Sequence, residues 1–225
     1  MEKKIFITGT GRCGTTFLMR LFTLLGYKTG FSPGELKDYA GPKGPGLEYC
    51  PEPSAHHAPV FKQFEVFKSP WYVYCVTQII TELGRELAPK PSVHTGPAQW
   101  PLPSSWIETF IVPLRDFHDT AESAFKRSLT SPYGGPGLIR WPAKQPIPST
   151  IEEQVKVYEE AIRELQQGLA IFEAPVVYLD FKSMTSSPVY LYERLKHVLE
   201  KKNISPAAFT QAYEEATNLW TKGAF

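Results

Sequence analysis

The feature that most constrains the fold of this chain is a loop bounded by glycines close to the first residue. The apolar run at residues 5–8 is typical of a short buried strand, and residues 9–16, G-T-G-R-C-G-T-T, follow it directly. Loops of the form G-x-x-x-x-G-K-[ST] bind nucleotide phosphates between a strand and a helix. Gly9 and Gly14 keep this spacing, but Thr15 stands at the lysine position. The sequence therefore predicts a phosphate-binding loop that lacks the lysine for the outer phosphates.

Predicted strands and helices alternate along the chain. This alternation predicts an α/β fold, with a P-loop-type parallel sheet flanked by helices on both faces as a three-layer sandwich. After residues 5–8, the segment 64–70 is predicted to contain a strand that ends in Lys68. Further strands are predicted at 108–114 and 176–181. Helices are predicted at 15–25, 71–87, 116–127, 150–172, 187–201 and 205–220.

Four of these helices carry start signals. Asp116, with Asp119 three residues later, and Thr150 with Glu153 resemble capping boxes. Ser187 and Ser205 each precede a proline, the favoured residue at the first helical position. These pairs predict where the helices begin.

Length and charge limit the class of protein. The 225 residues suit one domain, residues 1–225, with long irregular loops at about 30–60 and 128–149. The net charge of +1 gives no basic field for nucleic acid, and no apolar segment is long enough for a membrane span. Three cysteines without a C-x-x-C pair predict reduced thiols in a cytoplasmic protein, or a luminal domain trimmed from its anchor.

Candidate binding residues lie where the predicted strands end. Ligands of parallel α/β sheets bind at the carboxyl ends of the strands, and the loop, Lys68, Arg115 and Asp180 all fall there. Arg12 lies inside the loop, where a guanidinium can hold a phosphate or sulfate with two hydrogen bonds. Ser123 follows Arg115 by eight residues, about two helical turns.

A simpler interpretation of this segment remains open. Arg115 could form an ion pair with Asp116 or Asp119 instead of binding a phosphate. Ser123 would then be an ordinary helix residue. Taken alone, the segment favours this interpretation.

Two stretches together resemble a known family. GTGRCGTTFL, residues 9–18, and FIVPLRDFHDTAESAFKR, residues 110–127, are similar to motifs of the sulfotransferases that use 3′-phosphoadenosine 5′-phosphosulfate (PAPS). The resemblance implies that the first motif binds the phosphosulfate arm and that Arg115 and Ser123 bind the 3′-phosphate. Residues 12–16 fit the family pattern [K/R]-x-G-T-[TS], but this chain has Cys13 where the family commonly has a serine. The loop residues implied in donor binding are Gly11, Arg12, Cys13, Gly14, Thr15 and Thr16.

The resemblance extends to other segments. VFKSP resembles the family's strand that ends in a lysine near the sulfuryl group, which implies a catalytic role for Lys68. Arg12 is implied in catalysis as well as binding. Asp180 stands at the family's acidic position, and Lys222 with Gly223 resembles an element that touches the 3′-phosphate.

The general base has three candidates. The small-molecule branch of the family has a histidine two residues after the strand lysine, where this chain has Pro70. The glycan-modifying branch has a glutamate about twenty residues after the loop glycine, and Glu35 follows Gly14 by twenty-one. His56 and His57 are the rivals, and Glu35 is also interpretable as a solvated loop acid.

The resemblance implies transfer of a sulfuryl group from PAPS to a small-molecule or glycan acceptor, with 3′,5′-ADP as the product and no metal. The acceptor and the oligomeric state are not predicted. One alternative is a P-loop kinase or NTPase with Asp180 on Mg²⁺, which the missing lysine disfavours. Another is a module that binds a nucleotide or sulfated ligand without catalysis.

Overall fold

The computed structural model describes residues 3–37, 63–68, 107–130, 148–171 and 174–222. These residues form four strands, six α-helices and two 3-10 helices. The strands are β1 (Lys4–Ile7), β2 (Val66–Lys68), β3 (Ile107–Leu114) and β4 (Val176–Asp180). The α-helices are α1 (Thr15–Leu24), α2 (Phe117–Thr130), α3 (Ile151–Ile171), α4 (Phe181–Ser186), α5 (Pro188–Leu199) and α6 (Pro206–Lys222). Two 3-10 helices span Pro33–Lys37 and Glu200–Lys202.

The four strands form one parallel sheet in the order β2-β1-β3-β4. In the register of the sheet, Ile7 of β1 is paired with both Lys68 of β2 and Ile111 of β3. Leu114 at the end of β3 is paired with Asp180 at the end of β4. The prediction of an α/β fold with a parallel sheet is confirmed.

Alternate strand residues belong to two different hydrophobic clusters. Ile5 and Ile7 of β1 pack in a cluster with residues of α1, α5 and α6. Phe6 between them packs in a second cluster with residues of α2 and α3, among them the buried Tyr158. This division follows from the pleat of a strand, which directs successive side chains to opposite faces.

The helix start signals are observed as hydrogen bonds. The Asp116 carboxylate accepts from the amide of Asp119 at 3.0 Å, and the Thr150 hydroxyl accepts from the amide of Glu153 at 3.2 Å. The Ser187 hydroxyl accepts from the Tyr190 amide at 3.1 Å. Each bond satisfies an amide that the first turn leaves without a helical partner. The predicted starts of α2, α3 and α5 are therefore confirmed, and α6 starts at Pro206 as predicted.

The region after β4 differs from the prediction. Phe181 was predicted to end the strand, but it is the first residue of the short helix α4. The physical reason is Asp180, whose carboxylate accepts hydrogen bonds from the Ser183 amide and hydroxyl, both at 2.7 Å. The α5 helix ends at Leu199, earlier than the predicted Lys201, because a 3-10 turn follows it. The predicted helix at 71–87 lies outside the described residues.

A charged cluster fixes the start of β2, and thereby the position of Lys68 at its end. The buried Glu65 carboxylate accepts from the Lys28 amide at 2.7 Å and from Lys202 Nζ at 2.6 Å. The Lys202 ammonium also lies 4.4 Å from the ring centroid of Tyr27. Since Glu65 immediately precedes Val66, these contacts attach β2 to the segment after α1 and to the turn after α5.

Across the ranges given above, no helix combines the length and the apolar character that crossing a bilayer would take.

Candidate functional site

The carboxyl ends of the four strands meet at one edge of the sheet. The loop follows β1, Lys68 ends β2, Arg115 follows β3 and Asp180 ends β4. Because the sheet is parallel and in register, these groups lie at the same edge, where ligands of open α/β sheets bind. This edge is the candidate site.

The loop backbone is built from left-handed turns. Gly11, Arg12 and Gly14 have φ angles of 69°, 53° and 95°. Arg12 is the unusual member, because a residue with a Cβ pays about 1–2 kcal/mol for this conformation. Gly14 directly precedes α1, which begins at Thr15. A strained turn of this kind ahead of a helix N-terminus is a common setting for anion binding.

The side chain and backbone of Arg12 are both held by the second motif. Arg12 Nε donates to Ser123 Oγ of α2 at 3.2 Å, across 111 positions of sequence. Arg115 Nη1 donates to the Arg12 carbonyl oxygen at 3.3 Å. These two bonds oppose the backbone strain at Arg12. The structure thus brings Arg115 and Ser123, both predicted to bind the donor, into contact with Arg12. Arg115 is directed to the loop rather than to Asp116, which caps α2.

Lys68 contacts the same loop from the other neighbouring strand. Its side chain is buried, at 1% exposure, and Nζ donates to Thr16 Oγ1 at 3.1 Å. Thr16 lies in the first turn of α1. The buried Lys68 ammonium thus adds a third positive charge, beside Arg12 and Arg115, at a helix N-terminus where an anion would bind.

The β4–α4 turn packs against the loop. A Cβ added at Gly14 would lie 2.5 Å from Met184 Cε and 3.1 Å from two ring carbons of Phe181. The guanidinium carbon of Arg115 lies 4.9 Å from the centroid of the same Phe181 ring. The Phe181 ring therefore contacts both the loop and Arg115, a residue predicted to bind the 3′-phosphate.

Gly14→Ala is expected to lower the free energy of unfolding by about 2–4 kcal/mol, since overpacking adds to left-handed backbone strain. Gly26→Ala is the matched control, because Gly26 has a φ of 79° with no atom within 4 Å of the added Cβ. It should cost only the strain, about 1–2 kcal/mol. Denaturant unfolding measures both variants, and equal losses would contradict the packing described at Gly14.

Cys13 is a structural residue of the loop. The free thiol is fully buried, and a Cβ added at Gly9 would lie 2.6 Å from Cys13 Sγ. Burial raises the pKa of the Cys13 thiol to about 11, against smaller opposing effects of hydrogen bonds and Lys68. The thiol is therefore neutral at neutral pH, and its compact side chain fills the space beneath Gly9. Cys50 and Cys75 lie outside the described residues.

Asp180 serves as the N-cap of α4. Hydrogen bonds from the Ser183 amide and hydroxyl hold the pKa of the Asp180 carboxyl below its ordinary value. The Asp180 amide donates to the Tyr190 hydroxyl at 2.9 Å, so the turn is fixed on both sides. In the part of the chain that the structure describes, no group of three or more His, Cys, Asp or Glu residues is arranged to hold a metal ion.

Glu35 lies in the 3-10 helix at Pro33–Lys37, which contacts α1. Its carboxylate accepts from the Ser32 amide at 2.7 Å and the Ser32 hydroxyl at 2.8 Å. Its half-buried position is anchored by Leu36, which is buried in the α1 cluster. The role of Glu35 as a base stays a prediction.

The remaining predicted residues fall at or beyond the limits of the description. His56, His57, Pro70 and Gly223 lie outside the described residues, and Lys222 is described only as the last residue of α6. The α6 helix end is nevertheless attached to α1, because the buried Arg20 donates from Nη1 to the Leu219 carbonyl at 3.0 Å.

Sequence reasoning missed Phe181 and Met184 as parts of the site. The one available signal was that Phe181 directly follows Asp180 at a strand end. Together, three cations meet at one helix N-terminus: Arg12 belongs to the loop, and Lys68 and Arg115 each donate a hydrogen bond to it. This arrangement can bind a ligand that carries more than one anionic group.

The chain was also compared with known proteins. No family model, no curated protein and no solved structure matches it.

Proposed function

We propose that the chain is a sulfotransferase that moves the sulfuryl group of PAPS to a hydroxyl or amine acceptor. The chain would be a P-loop-type, three-layer domain of a cytoplasmic protein. It would release 3′,5′-ADP and need no metal. The acceptor is a small molecule or a glycan. The observation that carries the proposal is the contact of Arg12 with both Ser123 and Arg115 beside a loop that has Thr15 at the lysine position.

The two ends of the donor would bind different groups. The loop amides and Arg12 would hold the 5′-phosphosulfate at the N-terminus of α1. Arg115 and Ser123 would hold the 3′-phosphate. The Ser123 hydroxyl accepts in its bond with Arg12 and so keeps its own hydrogen to donate to a phosphate oxygen. An ATP-binding loop has no need of such a second anion site.

The chemical step would proceed by direct transfer. The acceptor oxygen or nitrogen forms a bond to sulfur, and the bond from sulfur to the bridging phosphate oxygen breaks. The electron pair of the broken bond stays on 3′,5′-ADP, and the acceptor proton passes to the base. Lys68, beside Thr16, would stabilise the negative charge that develops on the leaving oxygen.

Asp180 bears on the kinase alternative. In a P-loop NTPase a Walker-B aspartate helps to hold Mg²⁺. Here Oδ2 of Asp180 already accepts two hydrogen bonds from Ser183. This use of the carboxylate as a helix cap favours a reaction without Mg²⁺ and supports the sulfotransferase over the kinase.

Ligand-induced thermal stabilisation tests the proposal, since a ligand that binds only the folded state raises the melting temperature. With a metal chelator present, 3′,5′-ADP should raise it. A rise only with ATP and Mg²⁺ would support the kinase. A rise with 3′,5′-ADP, but no transfer of labelled sulfate to alcohols, phenols, amines or glycans, would support a binding module.

Glu35→Gln is expected to abolish most turnover while 3′,5′-ADP affinity is retained, because glutamine keeps the shape of glutamate and cannot take a proton. Steady-state rates with labelled PAPS and calorimetry with 3′,5′-ADP separate the two effects. Ser32→Ala is the matched control: it removes one of the hydrogen bonds to Glu35 and leaves the carboxylate.

The same assay separates the rival bases. His56→Ala and His57→Ala should stay active. Near-normal turnover in Glu35→Gln, together with loss of activity in one histidine variant, would assign the base to that histidine.

A further inference from the structure

Phe181 and Arg115 follow residues that are paired across the sheet. Leu114 of β3 is paired with Asp180 of β4, and Arg115 and Phe181 are the next residue of each chain segment. The sheet therefore brings the two residues close together, and the central carbon of the Arg115 guanidinium lies 4.9 Å from the centroid of the Phe181 ring. This distance is within the range of about 6 Å at which cations are attracted to aromatic faces.

The Phe181 ring is itself fixed. It begins α4, which Asp180 caps through Ser183. On the loop side, two ring carbons lie 3.1 Å from the position that a Cβ at Gly14 would occupy, next to Met184. Because the ring is held on these sides, it is a fixed surface for the Arg115 guanidinium that lies over it.

Arg115 needs such a support. Its side chain is half-buried, and its bond to the Arg12 carbonyl is long, at 3.3 Å. A flexible arginine loses side-chain entropy when a ligand orders it. A guanidinium held over a ring face still has N–H groups that can donate to an anion.

We propose that Phe181 is a positioning residue, which holds the Arg115 guanidinium in the orientation that binds the 3′-phosphate of the nucleotide. The inference rests on the proposed function. Its consequence is selective: loss of the ring weakens the binding of a nucleotide with a 3′-phosphate and leaves the binding of one without it unchanged. A residue that only packs the loop would weaken both.

Calorimetry with 3′,5′-ADP and 5′-AMP on the full chain tests this selectivity. In Phe181→Leu, the Kd for 3′,5′-ADP should rise by about 3-fold to 10-fold, because the unsupported Arg115 side chain must then be ordered when the nucleotide binds, and the Kd for 5′-AMP should not change. Phe181→Tyr keeps an aromatic ring, so its Kd for 3′,5′-ADP should equal that of the wild type. Phe209→Leu removes a ring from the core, where it packs on Tyr192 and Tyr213, and should change neither Kd.

An equal rise for both nucleotides in Phe181→Leu, or no rise for either, would overturn the inference. If Phe181→Leu does not fold, Phe181→Met provides the same comparison with a flexible side chain that fills the space.

A second readout needs no nucleotide. The Arg115 side-chain protons should be shifted upfield by the ring current in NMR spectra of the wild type and Phe181→Tyr, and not in Phe181→Leu or Phe181→Met. Identical Arg115 shifts in all four proteins would overturn the inference. If the wild type binds both nucleotides equally while the ring-current shift is present, the proposed function fails and the positioning contact stands.

Discussion

Lys68→Ala is expected to lower turnover by about 10²-fold or more, with little change in 3′,5′-ADP affinity, because an electrostatic group aimed at developing charge acts mainly in the transition state. Lys68 is buried at the end of β2 and donates to Thr16 at the start of α1. Its charge is thus desolvated and oriented before any ligand arrives. Single-turnover rates with labelled PAPS measure the effect on the chemical step.

Two controls separate the Lys68 charge from its packing. Lys68→Met keeps the apolar stem and removes the ammonium, so it should lose turnover as Lys68→Ala does. Lys201→Ala removes a lysine that pairs with Glu108, and it should keep normal turnover. A Lys68→Met variant that turns over normally but binds 3′,5′-ADP poorly would make Lys68 a donor-binding residue.

Arg115→Ala is expected to cost about 2–4 kcal/mol of donor affinity, which is about a 30-fold to 1000-fold rise in the Kd for 3′,5′-ADP. The reason is that the variant loses a charge-assisted contact to the 3′-phosphate. It also loses the bond that supports the strained Arg12 backbone. Arg115→Lys keeps the charge but lacks the planar guanidinium. Its Kd for 3′,5′-ADP should therefore lie between those of the wild type and Arg115→Ala.

The matched control for Arg115 is Arg163→Ala, which removes an exposed arginine paired with Glu160 on α3. It should leave both nucleotide affinities unchanged. Competition calorimetry measures the Kd of those variants that bind the nucleotides too weakly for direct titration. If Arg115→Ala weakens 5′-AMP and 3′,5′-ADP by the same factor, Arg115 supports the loop and does not bind the 3′-phosphate.

The parts of the fold that were predictable are those with local causes. Strand β1, the glycine loop and α1 follow from a few consecutive residues, and the starts of α2, α3 and α5 follow from hydroxyl or carboxylate caps. The one-residue error at the end of β4 arose because a strand pattern does not show that Asp180 will cap a helix. In the structure Asp180 ends β4 and is the N-cap of α4, which begins at Phe181.

The contacts that assemble the site have no local signal. The bond between Arg12 and Ser123 joins residues 111 positions apart. No pattern in either segment states that the side chains meet. The same holds for the Phe181 ring against Gly14, which depends on strand order and register. A resemblance between motifs could suggest that Arg115 and Ser123 serve one ligand, but their common contact with Arg12 is a property of the folded chain.

The central claim is that the site binds a nucleotide through a separate 3′-phosphate group without metal. Isothermal titration calorimetry of the wild-type chain with 3′,5′-ADP and with 5′-AMP, both with a metal chelator present, tests it most directly. We expect 3′,5′-ADP to bind far more tightly than 5′-AMP. Equal affinities, or binding that appears only when Mg²⁺ is restored, would contradict the account.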